Sequence, residues 1–190
     1  MRNLRKITAF AIAATALATM ATTAEARRPN AAQQQAAAFV AAVTHYCMAN
    51  VEGGVELPQV AVLEGHEVVA LTAEQASAAR MAATSTGYRL NHARGHILIE
   101  SATGKACQAK AEGPPAQASF DGVVTFITDP ARGFNRSLDM SNPPMTFMRM
   151  FTKPVGEENL VVMLNGIQPR GAASMLNATV SRIKREAPAT

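Results

Sequence analysis

The chain has two cysteines, and they fall in stretches of opposite character. Cys47 ends a run in which Ala36, Phe39, Val40, Val43 and Cys47 recur at three- and four-residue spacing, the mark of an amphipathic helix. Cys107 sits in G-H-I-L-I-E-S-A-T-G-K-A-C-Q-A-K, two extended runs around a turn. Two cysteines in an exported chain read as one disulfide, Cys47–Cys107, on compartment and parity. Closing so long a loop is worth about 4 kcal/mol in the chain-entropy account. The neighbouring His45 does not turn Cys47 into a nucleophile. At roughly 100° per residue the two lie about 200° apart on a helix, on nearly opposite faces. A reactive thiol needs its base at hand.

Export is read from the N-terminus. Arg2, Arg5 and Lys6 precede the apolar run I-T-A-F-A-I-A-A-T-A-L-A-T-M-A, and Ala24-Glu25-Ala26 fits a small-x-small cleavage site. Residues 1–26 therefore read as a secretory signal peptide, too short in its apolar part to span a bilayer, which takes ~20 residues. Residues 27–190 are expected to form a single domain in the periplasm or outside the cell, with no membrane span after cleavage. The formal charge is +4 over the whole chain. Three of the basic residues and one acid lie in the leader, so the remainder is only weakly basic. With no Trp and two Tyr to stack bases, nucleic acid is not an expected partner. The cluster Arg182, Lys184 and Arg185 reads as a solvated strand end.

Asn30 with Gln33, and Thr72 with Gln75, are capping-box pairs that open a first helix and an alanine-rich second one running to about Ala83. Val60–Leu71 is apolar but interrupted. After Gly87 the period changes, and residues 95–110 predict a hairpin around S-A-T-G. Pro114-Pro115 precede a third helix with Phe120, Val123, Val124 and Ile127 as its stripe, stopped by Pro130. P-A-R-G-F-N-R-S-L-D-M-S-N-P-P reads as a long loop. Strands are predicted at 145–151, 159–164 and 173–183. The expected class is α+β, with helices packed on one face of a roughly five-stranded antiparallel sheet in the order α-α-β-β-α-β-β-β. No internal repeat is visible.

Few residues suggest chemistry. His92 and His96 stand four apart in an extended stretch, about 13 Å, too far to share a metal unless a turn intervenes. Met140, Met145, Met148, Met150, Met163 and Met175 crowd the C-terminal third. Thioether clusters can hold Cu(I), but alternation puts Met148 and Met150 on one strand face and Met145 on the other with Phe147 and Phe151, and such interleaving reads as an adaptable core or an apolar ligand-facing surface. No metal or cofactor is expected. Arg132, Phe134 and Arg136 on the long loop are candidate contacts for an acidic ligand or partner. G-x-S-x-G, the P-loop, H-E-x-x-H and G-x-G-x-x-G are all absent from the sequence, which leans the reading away from an enzyme.

The layout of A-F-V-A-A-V-T-H-Y-C, T-G-K-A-C-Q-A-K and the terminal A-S-M-L-N-A-T-V-S-R-I resembles small uncharacterised exported proteins of alpha-proteobacteria. That resemblance implies a periplasmic location and a single disulfide, and transfers no catalytic residue. The expected function is a non-enzymatic binding or interaction domain of the cell envelope, taking a small apolar ligand or an envelope protein. The alternative is a hydrolase-like enzyme whose base (His45, His92 or His96) meets its partners only in three dimensions.

Overall fold

The Asn30 side chain accepts from the Gln33 N–H at 2.9 Å while Gln33 Oε1 accepts from the Asn30 N–H, the reciprocal cap its sequence spells out. Behind it α1 (Ala31–Ala41) runs through a π-helical stretch (Ala42–Cys47) into α2 (Met48–Glu52). The computed structural model describes residues 29–185, and the expected leader, residues 1–26, lies outside them. The looser π turn widens the buried stripe, so Ala42 and Tyr46 join Val43 and Cys47 in the core. Thr72 and Gln75 cap α3 (Ala73–Ala78) in the same reciprocal way. It stops short of Ala83 because Arg80 turns into the left-handed region at φ 54°. α4 (Ala116–Ile127) follows Pro114-Pro115, with Phe120, Val123 and Ile127 inward.

Among the described residues eight strands form one antiparallel sheet: β1 (Glu67–Ala70), β2 (Thr86–His92), β3 (Gly95–Ala102), β4 (Ala106–Glu112), β5 (Asn135–Asp139), β6 (Thr146–Val155), β7 (Glu158–Ile167) and β8 (Met175–Lys184). Their order across the sheet is β1-β2-β3-β4-β8-β7-β6-β5. The α+β class holds, but the expectation of about five strands and its element order are corrected to eight and to this order. Each of the three unforeseen strands has a local reason. β1 is four residues inside the ambiguous stretch. β5, N-R-S-L-D, is a polar edge strand with an irregularity between Arg136 and Leu138, so its sequence resembles a loop. β2 opens on Thr86-Gly87, where glycine reads as a breaker. Gly87 is there because a Cβ would come within 2.5 Å of Met81 and 3.1 Å of Leu71, both flanking α3.

That approach also corrects the placement of helices. α1, α2 and α4 cover one face of the sheet, and α3 lies on the other, against β2. Glu100 of β3 holds it there, accepting from the Ala82 N–H at 2.7 Å and the Ser85 hydroxyl at 2.8 Å while pairing with Lys110. The core fills the space between the three helices and the inner sheet face. Phe39, Tyr46, Phe120 and Ile127 meet Leu90, Ile97, Ile99, Phe151, Leu160 and Leu164, all fully buried.

Cys47 and Cys107 form a disulfide with Cα atoms 5.2 Å apart, tying the helix to β4. One helical turn on, Asn50 is fully buried and completes the tie. Its Oδ1 accepts from Ser101 Oγ at 2.8 Å, and its Nδ2 donates to the Val55 carbonyl at 2.9 Å and to Thr103 Oγ1 at 3.3 Å. Arg182 closes the helix end, donating to the Val51 and Glu52 carbonyls at 3.1 Å, so it is a structural clamp, not a solvated residue.

Connectivity reveals a repetition that the residues do not. A helix followed by a four-stranded meander occurs twice, as α1–α2 with β1–β4 and as α4 with β5–β8. The halves join through the antiparallel β4–β8 pair, where Ala109 faces Ala178. Only the first half carries the α3 insertion.

Candidate functional site

A cleft of about 530 Å³ opens where β3 and β4 part company. Their pairing runs only to Leu98↔Lys110, so Gly95–Ile97 and Ala111–Glu112 diverge. His92, Arg94, His96, Lys110 and Glu112 line the opening. A turn at Ala93–Arg94 sets the two histidines on adjacent strands instead of 13 Å along one. They still do not converge as ligands. His92 faces the helix side with Tyr88 and Leu90, and His96, opposite Asn91, faces the other side. His92 is held below the ordinary imidazole range by partial burial and by the nearby His66 and His96. Its Nδ1 accepts from the Arg94 N–H at 3.3 Å. None of the residues lining the cleft is a Ser, Thr or Cys. Among the described residues no three His, Cys, Asp or Glu side chains gather as a metal site.

His45 and His66 serve Tyr46 and its surroundings. His45 Nε2 lies 2.7 Å from the Ala61 carbonyl, and the Tyr46 hydroxyl accepts from the Leu63 N–H at 3.1 Å. His66 Nδ1 stands 3.4 Å from that hydroxyl, and burial with the adjacent His45 lowers its pKa. A depressed imidazole stays neutral at pH 7 and can accept from the phenol.

Arg132, Phe134 and Arg136 each find a partner within the chain. The Arg132 guanidinium lies 3.3 Å from the Phe126 ring centroid, on the helix side. Phe134 packs on the core beneath Lys153. Arg136 is on β5, paired to Asp139 at 3.3 Å, with its side chain 61% exposed. Hydrogen bonds from Ser141, with Arg149 and Arg136 beside it, hold the Asp139 carboxyl below the usual range.

The feature least visible in sequence is the helix-free face of the second half-sheet. Alternation splits β6 cleanly: Phe147 and Phe151 point into the core, while Met148 and Met150 point away. Strand register extends that outer row. Met150 lies opposite Met163 and Leu138, and Met148 opposite Asn165. Met140 continues β5, its N–H donating to the Met148 carbonyl at 2.9 Å. Ile167 pairs with Met175. Met140, Ile167 and Met175 are 64%, 40% and 54% exposed, and Met148, Met150 and Met163 are partly so. Asn165, Asn177, Thr179 and Ser181 supply the polar positions. From Leu138 to Ser181 this half-face carries no charged side chain among the described residues. The outer face of the first half differs, carrying Arg89, Glu100, Lys110 and Glu112. The sequence signal for the patch was the methionine crowding, with Met148 and Met150 on one face of their strand; what it lacked was which face is outward and the register that brings Met140 and Met163 beside them.

No protein-family model matches the chain, and no curated protein or solved structure is found to match it.

Proposed function

We propose that the protein is an exported, non-enzymatic binding domain of the cell envelope that docks a protein partner on its methionine-rich half-face. The observation that carries this reading is the segregation of charge: one half of the outer sheet face is charged and braced by α3, the other uncharged, apolar and open. Methionine side chains adapt their shape to a partner, which suits them to such surfaces. The face is broad instead of hollow. The depression bordered by Asn165, Ile167, Met175 and Asn177 is about 260 Å³, smaller than a typical small-molecule pocket. A protein therefore fits it better than a small apolar ligand. The disulfide supports an oxidising compartment. The hydrolase alternative draws no support from the β3–β4 cleft, whose lining holds histidines but no Ser, Thr or Cys.

The test is site-specific photo-crosslinking in an exporting bacterial host. A photoreactive side chain at Asn165 or Thr179 is expected to give a defined adduct that disappears when Met163→Lys is added. The same probe at Asn91, on the charged half beside Glu67, is expected to give none. An adduct of twice the chain mass identifies a second copy as the partner. Equal adducts at all three positions, or none, overturn the reading.

A further inference from the structure

We infer that the same half-face binds a soft monovalent metal ion, Cu(I) in the cell, through the thioethers of Met140, Met148, Met150 and Met163. The inference rests on that face being open and does not need the protein partner. Interleaving with phenylalanine spoke against a metal while these residues read as an adaptable core or an apolar ligand-facing surface. The structure removes the objection, since the phenylalanines point inward and the four methionines share the outer surface.

Register places them together. Met150 and Met163 are direct cross-strand partners, Met140 lies beside Met148, and Met148 and Met150 are neighbours on one face of β6. Cross-strand Cβ atoms stand about 4.5–5.5 Å apart. Unbranched side chains with three rotatable bonds can then bring three or four sulfurs round one ion. The surrounding positions, Leu138 and Asn165, carry no charge, so a hard divalent cation finds no carboxylate there while a soft ion finds sulfur. Both cysteines are consumed by the disulfide, which leaves thioethers as the chain's available sulfur ligands. A thioether has no proton to lose, so it stays competent in an oxidising and mildly acidic compartment.

The oxidised protein is titrated with Ag(I), a redox-inert probe, and anaerobically with Cu(I) against the chromogenic chelator bicinchoninate. Methyl-labelled methionine resonances are followed throughout. One ion per chain is expected, shifting the methyl signals of these four residues. Affinity should be the same at about pH 7.5 and pH 5, a range across which imidazole ligands would be lost. Met150→Leu with Met163→Leu keeps the face apolar and is expected to weaken binding more than about tenfold. Far-UV circular dichroism and Tm of this variant are expected to match those of the unaltered protein, which separates lost ligands from lost folding. His92→Gln with His96→Gln is expected to change nothing. Failure to compete with bicinchoninate, loss of binding in the histidine variant, or a steep fall at pH 5 overturns the inference. The leucine variant should retain the crosslink at Asn165, so loss of metal binding and loss of partner docking are read separately.

Discussion

At the scale of single residues, the stretch T-H-Y-C-M-A-N works as a structural tie. Cys47 was legible because parity and compartment constrain it. Asn50 was not, because nothing in a helix pattern announces hydrogen-bond partners on a hairpin some fifty residues later. Replacing Asn50 by alanine leaves the Ser101 hydroxyl and the Val55 carbonyl without their partner. Chemical denaturation should show a loss of about 1–3 kcal/mol. Ser119 is the opposite case, fully buried in α4 with a hydroxyl that has no partner among the described residues. Ser119→Ala should leave stability unchanged or raise it by about 1 kcal/mol. His66 and His92 add a pH dependence. Both are depressed when folded, so the unfolded chain binds more protons as pH falls. Their contribution is complete above about pH 6.5, the unfolded imidazole value, and is lost as pH drops from there through the folded values. Denaturation midpoints measured across that window should fall, and His66→Gln with His92→Gln should flatten the slope.

At the scale of elements, what the sequence discloses is what is local. Both capping boxes, the hairpin at S-A-T-G, α4 and the last three strands depend on neighbours within a few residues, and all are found. β2 and β5 depend on what lies beside them. Gly87 looks like a breaker until α3 is seen packing on it, and β5 is a polar edge whose sheet neighbour among the described residues is β6. The α1–α4 contact has the same character. A Cβ on Gly122 would lie 2.5 Å from Val40 Cγ2, a β-branched side chain with little room to turn. Gly122→Ala gains up to about 1 kcal/mol of helix propensity but overpacks that contact. A net loss of about 1 kcal/mol is expected, and Val40→Ala in the same chain should recover part of it.

At the scale of the molecule, two helix-plus-meander halves meet at Ala109 and Ala178, yet the chain shows no repeat in its residues. Burial can be met by many apolar residues, so a repeated architecture need not leave a repeated sequence. The halves diverge most on the outer face, one charged and covered by α3, the other uncharged and lined with methionine. Alternation could set Met148 and Met150 apart from Phe147 and Phe151, but not say which face is outward or which methionines of neighbouring strands lie beside them, because that depends on register. Both roles assigned to this face require these methionines to be exposed together, and methionine oxidation footprinting reads that exposure residue by residue. Dilute peroxide is applied to the purified protein and to the protein in the envelope of an exporting host, and oxidation is read by peptide mass spectrometry. In the purified protein Met140, Met148, Met150, Met163 and Met175 should oxidise well ahead of the buried Met48. In the envelope Met148, Met150 and Met163 should be selectively protected relative to Met81, beside α3. Identical rates in both settings, or Met148, Met150 and Met163 as slow as Met48 in the purified protein, would contradict the account.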